Sequence, residues 1–248
     1  MIRFKSEKEI QDMRIGGKML HEVILFAEKN ARSGITTLEL NNILEKKILS
    51  LGGEPGFKKV HGYSWASCIC INEQIVHTPP SERVIKDGDV VTIDIGVFYN
   101  GLHTDSATTI QVPPNDSNVT HFLETGRKAL RKAIKVAYGG NRIGHISLAF
   151  QSTIEEQGYS IVKELTGHGV GTELHEDPYI PCFLDKPLEK TLKLQQGMTL
   201  ALEVMYTMGK SEITHESGGW SIRSADHSVA ATFEASVALM EKETFILT

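Results

Sequence analysis

Four acidic residues sit inside runs of the chain that otherwise read as buried β-strand, and they constrain the fold more than any other feature. Asp94 stands between two isoleucines in "GDVVTIDIGV", Glu203 lies in "TLALEVMY" and Glu234 in "ATFEASVALM". Asp105 precedes the β-branched run "SATTIQV". One such acid is ordinarily the solvated face of a one-sided strand. Four are harder to place, because moving a carboxylate out of water costs several kcal/mol unless a positive partner meets it.

Strand-pairing geometry brings the acids together in pairs. Asn100-Gly101 is a strong hairpin signal. If these two residues form the turn, facing positions sum to 201. Asp105 then lies opposite Gly96, diagonal to Asp94 and on the same face of the sheet. Glu203 and Glu234 sum to 437, with a midpoint at Gly218-Gly219, so they face each other across a long, interrupted hairpin. Crowded without cations, such acids repel and take up protons. Their combined charge of −4 equals that of two dications in magnitude, which points to a dinuclear metal centre.

Imidazoles are available to complete it. "TGHGVGTELHEDP" presents His168 and His175 in a Gly-rich segment that cannot form a regular helix, and "NEQIVHTPP" presents His77. Oxygen ligands with one or two imidazoles suit manganese, iron, cobalt or zinc better than calcium.

The remaining sequence supplies the frame. Capping-box pairs Ser6/Glu9 and Thr36/Glu39 open two helices. "THFLETGRKALRKAIKVAYGG" and "ISLAFQSTIEEQG" read as two more, each helical pair being followed by β-like runs such as "SWASCICI" and "YSIVKEL". The order suggests two similar halves sharing one sheet, with the 248 residues forming a single α+β domain. A net charge of −5 argues against a nucleic-acid or anionic-membrane binder. Apolar runs fall short of a membrane span, the N-terminus lacks an export signal, and three cysteines make no disulfide framework. A cytoplasmic monomer is the expectation. "GHGVG" is not followed by a phosphate-binding helix, and no Gly-x-Ser-x-Gly elbow occurs.

The ordered set His77, Asp94, Asp105, His168, His175, Glu203 and Glu234 resembles the methionine aminopeptidases, metallopeptidases of the pita-bread fold. The resemblance covers nearly the whole chain. The short interval between His175 and Glu203 leaves no room for the helical insert of type II enzymes, so the chain looks like type I. The resemblance implies pseudo-two-fold helices packed on a mainly antiparallel curved sheet. It also implies two divalent ions, held by Asp94, Asp105, His168, Glu203 and Glu234. Glu203 would accept a proton from the attacking water. His175 would steady the tetrahedral intermediate, and His77 would engage the scissile amide. Tyr63, Cys68 and Trp220 match the substrate pocket. Val60 and Leu174 stand where the family has aromatic residues, Thr78 replaces a glycine, and Val204 replaces a proline.

Implied partners are the N-terminal peptides of nascent proteins, with no DNA and no membrane. The basic band Arg127, Lys128, Arg131, Lys132, Lys135 could make a transient ribosome contact. Two other readings accompany this one: a related aminopeptidase with a different first-residue preference, including a proline-directed one, and a catalytically inactive binding homologue.

Overall fold

The computed structural model describes residues 2–248. Its first two helices begin where the capping boxes place them. In α1 (Glu7–Asn30) the Ser6 hydroxyl accepts from Glu9 N, and the Glu9 carboxylate accepts from Ser6 N. Thr36 and Glu39 repeat the exchange ahead of α2 (Thr37–Ser50). Each box satisfies backbone donors that a helix end cannot satisfy internally.

The strands of the first half are β1 (Glu54–Pro55), β2 (Ser67–Ile71), β3 (Gln74–Val76), β4 (Val90–Tyr99) and β5 (Leu102–Gln111). Asn100 and Gly101 turn the β4–β5 hairpin with φ of 49° and 82°, and a two-residue turn of this kind wants positive φ at both positions. β4 is sandwiched between β2 and β5. Its residues Val91, Ile93, Ile95 and Val97 pack with Leu20, Ile24, Leu40 and Leu44 of α1 and α2 in one core. Alternation sends Thr92, Asp94 and Gly96 to the opposite, interior face. The strand is buried on both sides, which explains why its sequence reads as a continuous apolar run around one acid.

The second half opens with α3 (Ser117–Val136), capped by the Asp116 carboxylate accepting from Asn118 N and Val119 N, and α4 (Ile143–Glu155). There follow β6 (Ser160–Ile161), β7 (Thr166–Gly169), β8 (Glu176–Pro181), β9 (Thr199–Thr207), β10 (Ile213–His215), β11 (Ile222–Ser224), β12 (Ala230–Leu239) and β13 (Thr244–Ile246). Leu200, Leu202, Val204 and Tyr206 of β9 pack on Phe122, Phe150 and Ile154 of α3 and α4. Thr199, Ala201 and Glu203 alternate to the other face. Glu203 pairs with Glu234 in the β9–β12 ladder, and β10 pairs with β11 in the same register about Gly218-Gly219. β11 crosses to pair with β3 of the first half.

The structure departs from one shared sheet. Its strands form separate four-, three- and six-stranded ladders. Where β5 meets β12, side-chain hydroxyls replace backbone pairing. Ser236 Oγ accepts from Asp105 N at 2.8 Å and donates to Asp105 O at 2.9 Å. Ser106 Oγ donates to Glu234 O, and Thr109 Oγ1 donates to Thr232 O. Short hydroxyl side chains reach the neighbouring backbone and stand in for ladder bonds. Two local expectations also change. "YSIVKEL" yields only the two-residue β6, while the Gly-rich segment around His168 is β7 and the start of β8. No described helix is long and apolar enough to cross a membrane.

Candidate metal centre and its adjoining pocket

The inner faces of the two halves meet around the four acids. Asp105 lies opposite Gly96, with Asp94 diagonal to it on the same face, as the hairpin register requires. Glu203 and Glu234 are directly opposed. His168 sits beside Ala201 of β9, where a register shift between Gly167 and Gly169 interrupts the β7–β8 pairing. Such a bulge re-aims a side chain out of the ordinary strand alternation.

The ring of His168 fixes the chemistry of this cluster. Its Nδ1 lies 2.8 Å from the carbonyl oxygen of Gly169 and donates to it. In the neutral ring, Nε2 therefore carries a lone pair. That atom faces Glu203 Oε1 at 3.7 Å, Glu234 Oε1 at 3.8 Å and Asp105 Oδ2 at 3.9 Å. Burial pushes His168 down to about 3, so the ring is not the source of positive charge. Burial pushes Asp94 up to about 7. Burial and mutual repulsion push Asp105, Glu203 and Glu234 well above the usual carboxylate range. Among the described residues no lysine or arginine forms an ion pair with any of the four. Asp94 Oδ1 is buried without a hydrogen-bond partner.

A lone pair and several carboxylate oxygens thus converge on one another, with no cationic side chain paired to them among the described residues. Donor atoms of Asp105, His168 and Glu234 all lie within 4.8 Å of one another. Two ligands on opposite sides of a bound cation with bonds of ~2.1 Å are ~4.2 Å apart. The residues present therefore fit a divalent metal. Asp94 and Glu203 stand outside that tightest trio and line the same cavity.

All ten residues singled out from the sequence for catalysis, metal binding or substrate contact line this one cavity of about 570 Å³. Its apolar side is formed by Phe57, Val60, Tyr63, Cys68, Leu174 and Trp220. The Tyr63 ring meets Trp220 edge-on at 5.1 Å, and its hydroxyl donates to Ser67 O at 2.9 Å. Burial pushes the Cys68 thiol up, so it lines the wall as a neutral group. Phe57 was not evident in the sequence. Its ring lies on Gly96, where an added Cβ would sit 2.8 Å from it. The only sequence sign of that contact is the glycine within β4.

A second cavity of about 550 Å³, lined by Glu164, Leu165, Tyr179 and Met205, adjoins the first. His77, His168, His175 and Glu203 border both. His77 holds φ at 60°, a left-handed conformation that non-glycine residues seldom adopt. Burial pushes His77 down to about 4 and lowers His175 as well. The rings of His168 and His175 meet edge-on at 4.3 Å.

Residues 11–237 match metallopeptidase family M24. The methionine aminopeptidase of Clostridium perfringens is 38% identical over 248 residues, covering 100% of this chain and 99% of that one. Methionine aminopeptidase 1 of Bacillus subtilis is 38% identical over 251 residues with the same coverage. The crystal structure of the Thermotoga maritima methionine aminopeptidase superposes with a TM-score of 0.96 at 35% identity, covering 100% of this chain and 99% of that one. The Pyrococcus furiosus prolidase superposes at 0.79 with 21% identity, covering 99% of this chain and 65% of that one, and shares the fold.

Proposed function

This chain belongs to metallopeptidase family M24, and we infer that it is a methionine aminopeptidase, hydrolysing the bond after an N-terminal methionine with the help of two divalent ions. The observation that carries the metal dependence is the lone pair of His168 Nε2 facing three carboxylate oxygens, with no lysine or arginine paired to them among the described residues. Asp94, Asp105, His168, Glu203 and Glu234 would hold the ions, for which cobalt, manganese, iron and zinc all suit the donor set. Bound there, divalent metal supplies Lewis-acid polarisation and lowers the pKa of water it holds.

The protein's own groups do the rest. Glu203, at the border of both cavities, takes up the proton released when water adds to the carbonyl. His175 is kept neutral by burial, so its ring N–H is free to donate to the oxygen that gains charge. His77 is neutral for the same reason and engages the scissile amide. The methionine side chain occupies the apolar wall, where a flexible thioether packs well against the Tyr63 and Trp220 rings. The second cavity receives the residues that follow. The two halves serve as one catalytic domain in a cytoplasmic monomer acting on nascent-chain N-termini. Exposed Lys128, Arg131, Lys132 and Lys135 supply a basic face for ribosome contact. Arg127 is occupied otherwise, donating to Thr109 O at 2.9 Å and stacking on Phe233.

Titrating manganese or cobalt into chelated protein tests this reading. Cleavage of a Met-Ala-Ser peptide should rise from background with metal, and an Ala-Pro peptide should remain uncut. Metal-independent cleavage, or preference for the proline peptide, would refute it.

A further inference from the structure

Lys5, ahead of α1, has a side chain only 1% exposed, unusual for a lysine. Its Nζ donates to the carboxylate of Glu176, the residue immediately after His175. The other oxygen of that carboxylate accepts from Thr172 Oγ1 at 2.8 Å and Glu173 N at 3.2 Å. The lysine is itself anchored, since its backbone N–H donates to Gly197 O at 2.8 Å. A side chain on Gly171 would collide with Lys5 Cε, so the stem lies directly against the turn. His103 N–H fastens the same turn from the other side by donating to Gly171 O at 2.6 Å. The turn from 171 to 176 thus carries His175 at its end and is clasped by a charge 171 residues away in sequence. Among the described residues the His175 ring makes no side-chain hydrogen bond, which leaves the backbone and the ring contact with His168 to orient it.

We propose that the Lys5–Glu176 ion pair is a positioning device that fixes the imidazole of His175 relative to the substrate carbonyl. The proposal rests on the role assigned to His175 above. A misplacement of about 1 Å can lower turnover ~100-fold. Lys5→Met in the metal-loaded full chain should therefore reduce kcat by about 10- to 100-fold while KM stays within about threefold. Metal affinity measured by calorimetry should not change. In a His175→Ala background Lys5→Met should have no further effect on kcat, because the group it positions is gone. Glu176→Gln, which retains the turn's other hydrogen bonds, provides the same readout should Lys5→Met fail to fold. Wild-type kcat in a folded variant, or an equal loss of kcat with and without His175, would overturn the proposal. If His175→Ala alone left kcat unchanged, the role assigned to His175 would fail instead.

Discussion

Asp94→Asn in metal-free protein tests the electrostatic account most directly. Asp94 is half-buried, with its Oδ1 shut off from solvent and unpartnered, and its carboxyl rises from 3.8 to about 7. A folded-state pKa raised above the unfolded value leaves stability intact below the unfolded pKa. It then removes stability as pH rises toward the folded pKa, because the unfolded chain sheds a proton that the folded one retains. For these two values the penalty grows from about 2 kcal/mol at pH 5 to about 4 kcal/mol at pH 8. The wild type should therefore lose about 2–3 kcal/mol between those pH values through this group. Asparagine has the same shape and does not titrate. Its amide adds a burial cost of about 1–3 kcal/mol, but that cost is the same at both pH values and cancels in the difference. Relief of the repulsion that Asp94 exerts on Asp105, Glu203 and Glu234 acts in the same direction. Urea unfolding of chelated wild type and variant at both pH values gives the measurement. The stability difference, variant minus wild type, should be about 2–3 kcal/mol more favourable at pH 8 than at pH 5. A difference independent of pH would show that Asp94 carries no buried-charge penalty and needs no metal to offset one.

Two further outcomes follow from particular contacts. Ser236→Ala strands the buried N–H of Asp105 and should lower stability by about 2–3 kcal/mol in urea unfolding; a loss under about 0.5 kcal/mol would mean the hydroxyl seam is incidental. Trp220→Ala removes one apolar wall of the pocket and should raise KM for Met-Ala-Ser about tenfold, with kcat within about threefold. An unchanged KM would place the methionine side chain elsewhere.

The sequence was most legible where a local rule acts through backbone geometry. The capping boxes mark both N-terminal helix starts, because a Ser or Thr and a Glu three residues on close the same ring of hydrogen bonds wherever they occur. The Asn100-Gly101 turn sets the Asp105–Gly96 register, since a two-residue hairpin leaves one alignment. The pairing of Glu203 with Glu234 was visible only as arithmetic, and it holds because β10 and β11 continue the β9–β12 register through the interruption. What remained hidden is tertiary. Nothing near Ser106, Thr109 or Ser236 distinguishes a hydroxyl that bridges two sheets from one that faces water. Lys5 looks like any N-terminal surface cation until the fold brings Glu176 to it. Phe57 enters the pocket only because Gly96 leaves room for its ring.

The hydroxyl seam between β5 and β12 has a mechanical corollary. Asp94 and Asp105 lie on one leaf of the molecule, and His168, Glu203 and Glu234 on the other, so any ion held between them is also a rivet across the join. Emptied of metal, the protein would open first along that line, uncoupling the leaves before either one melts. Loading the centre would arm the chemistry and brace the join between the two plates in a single step.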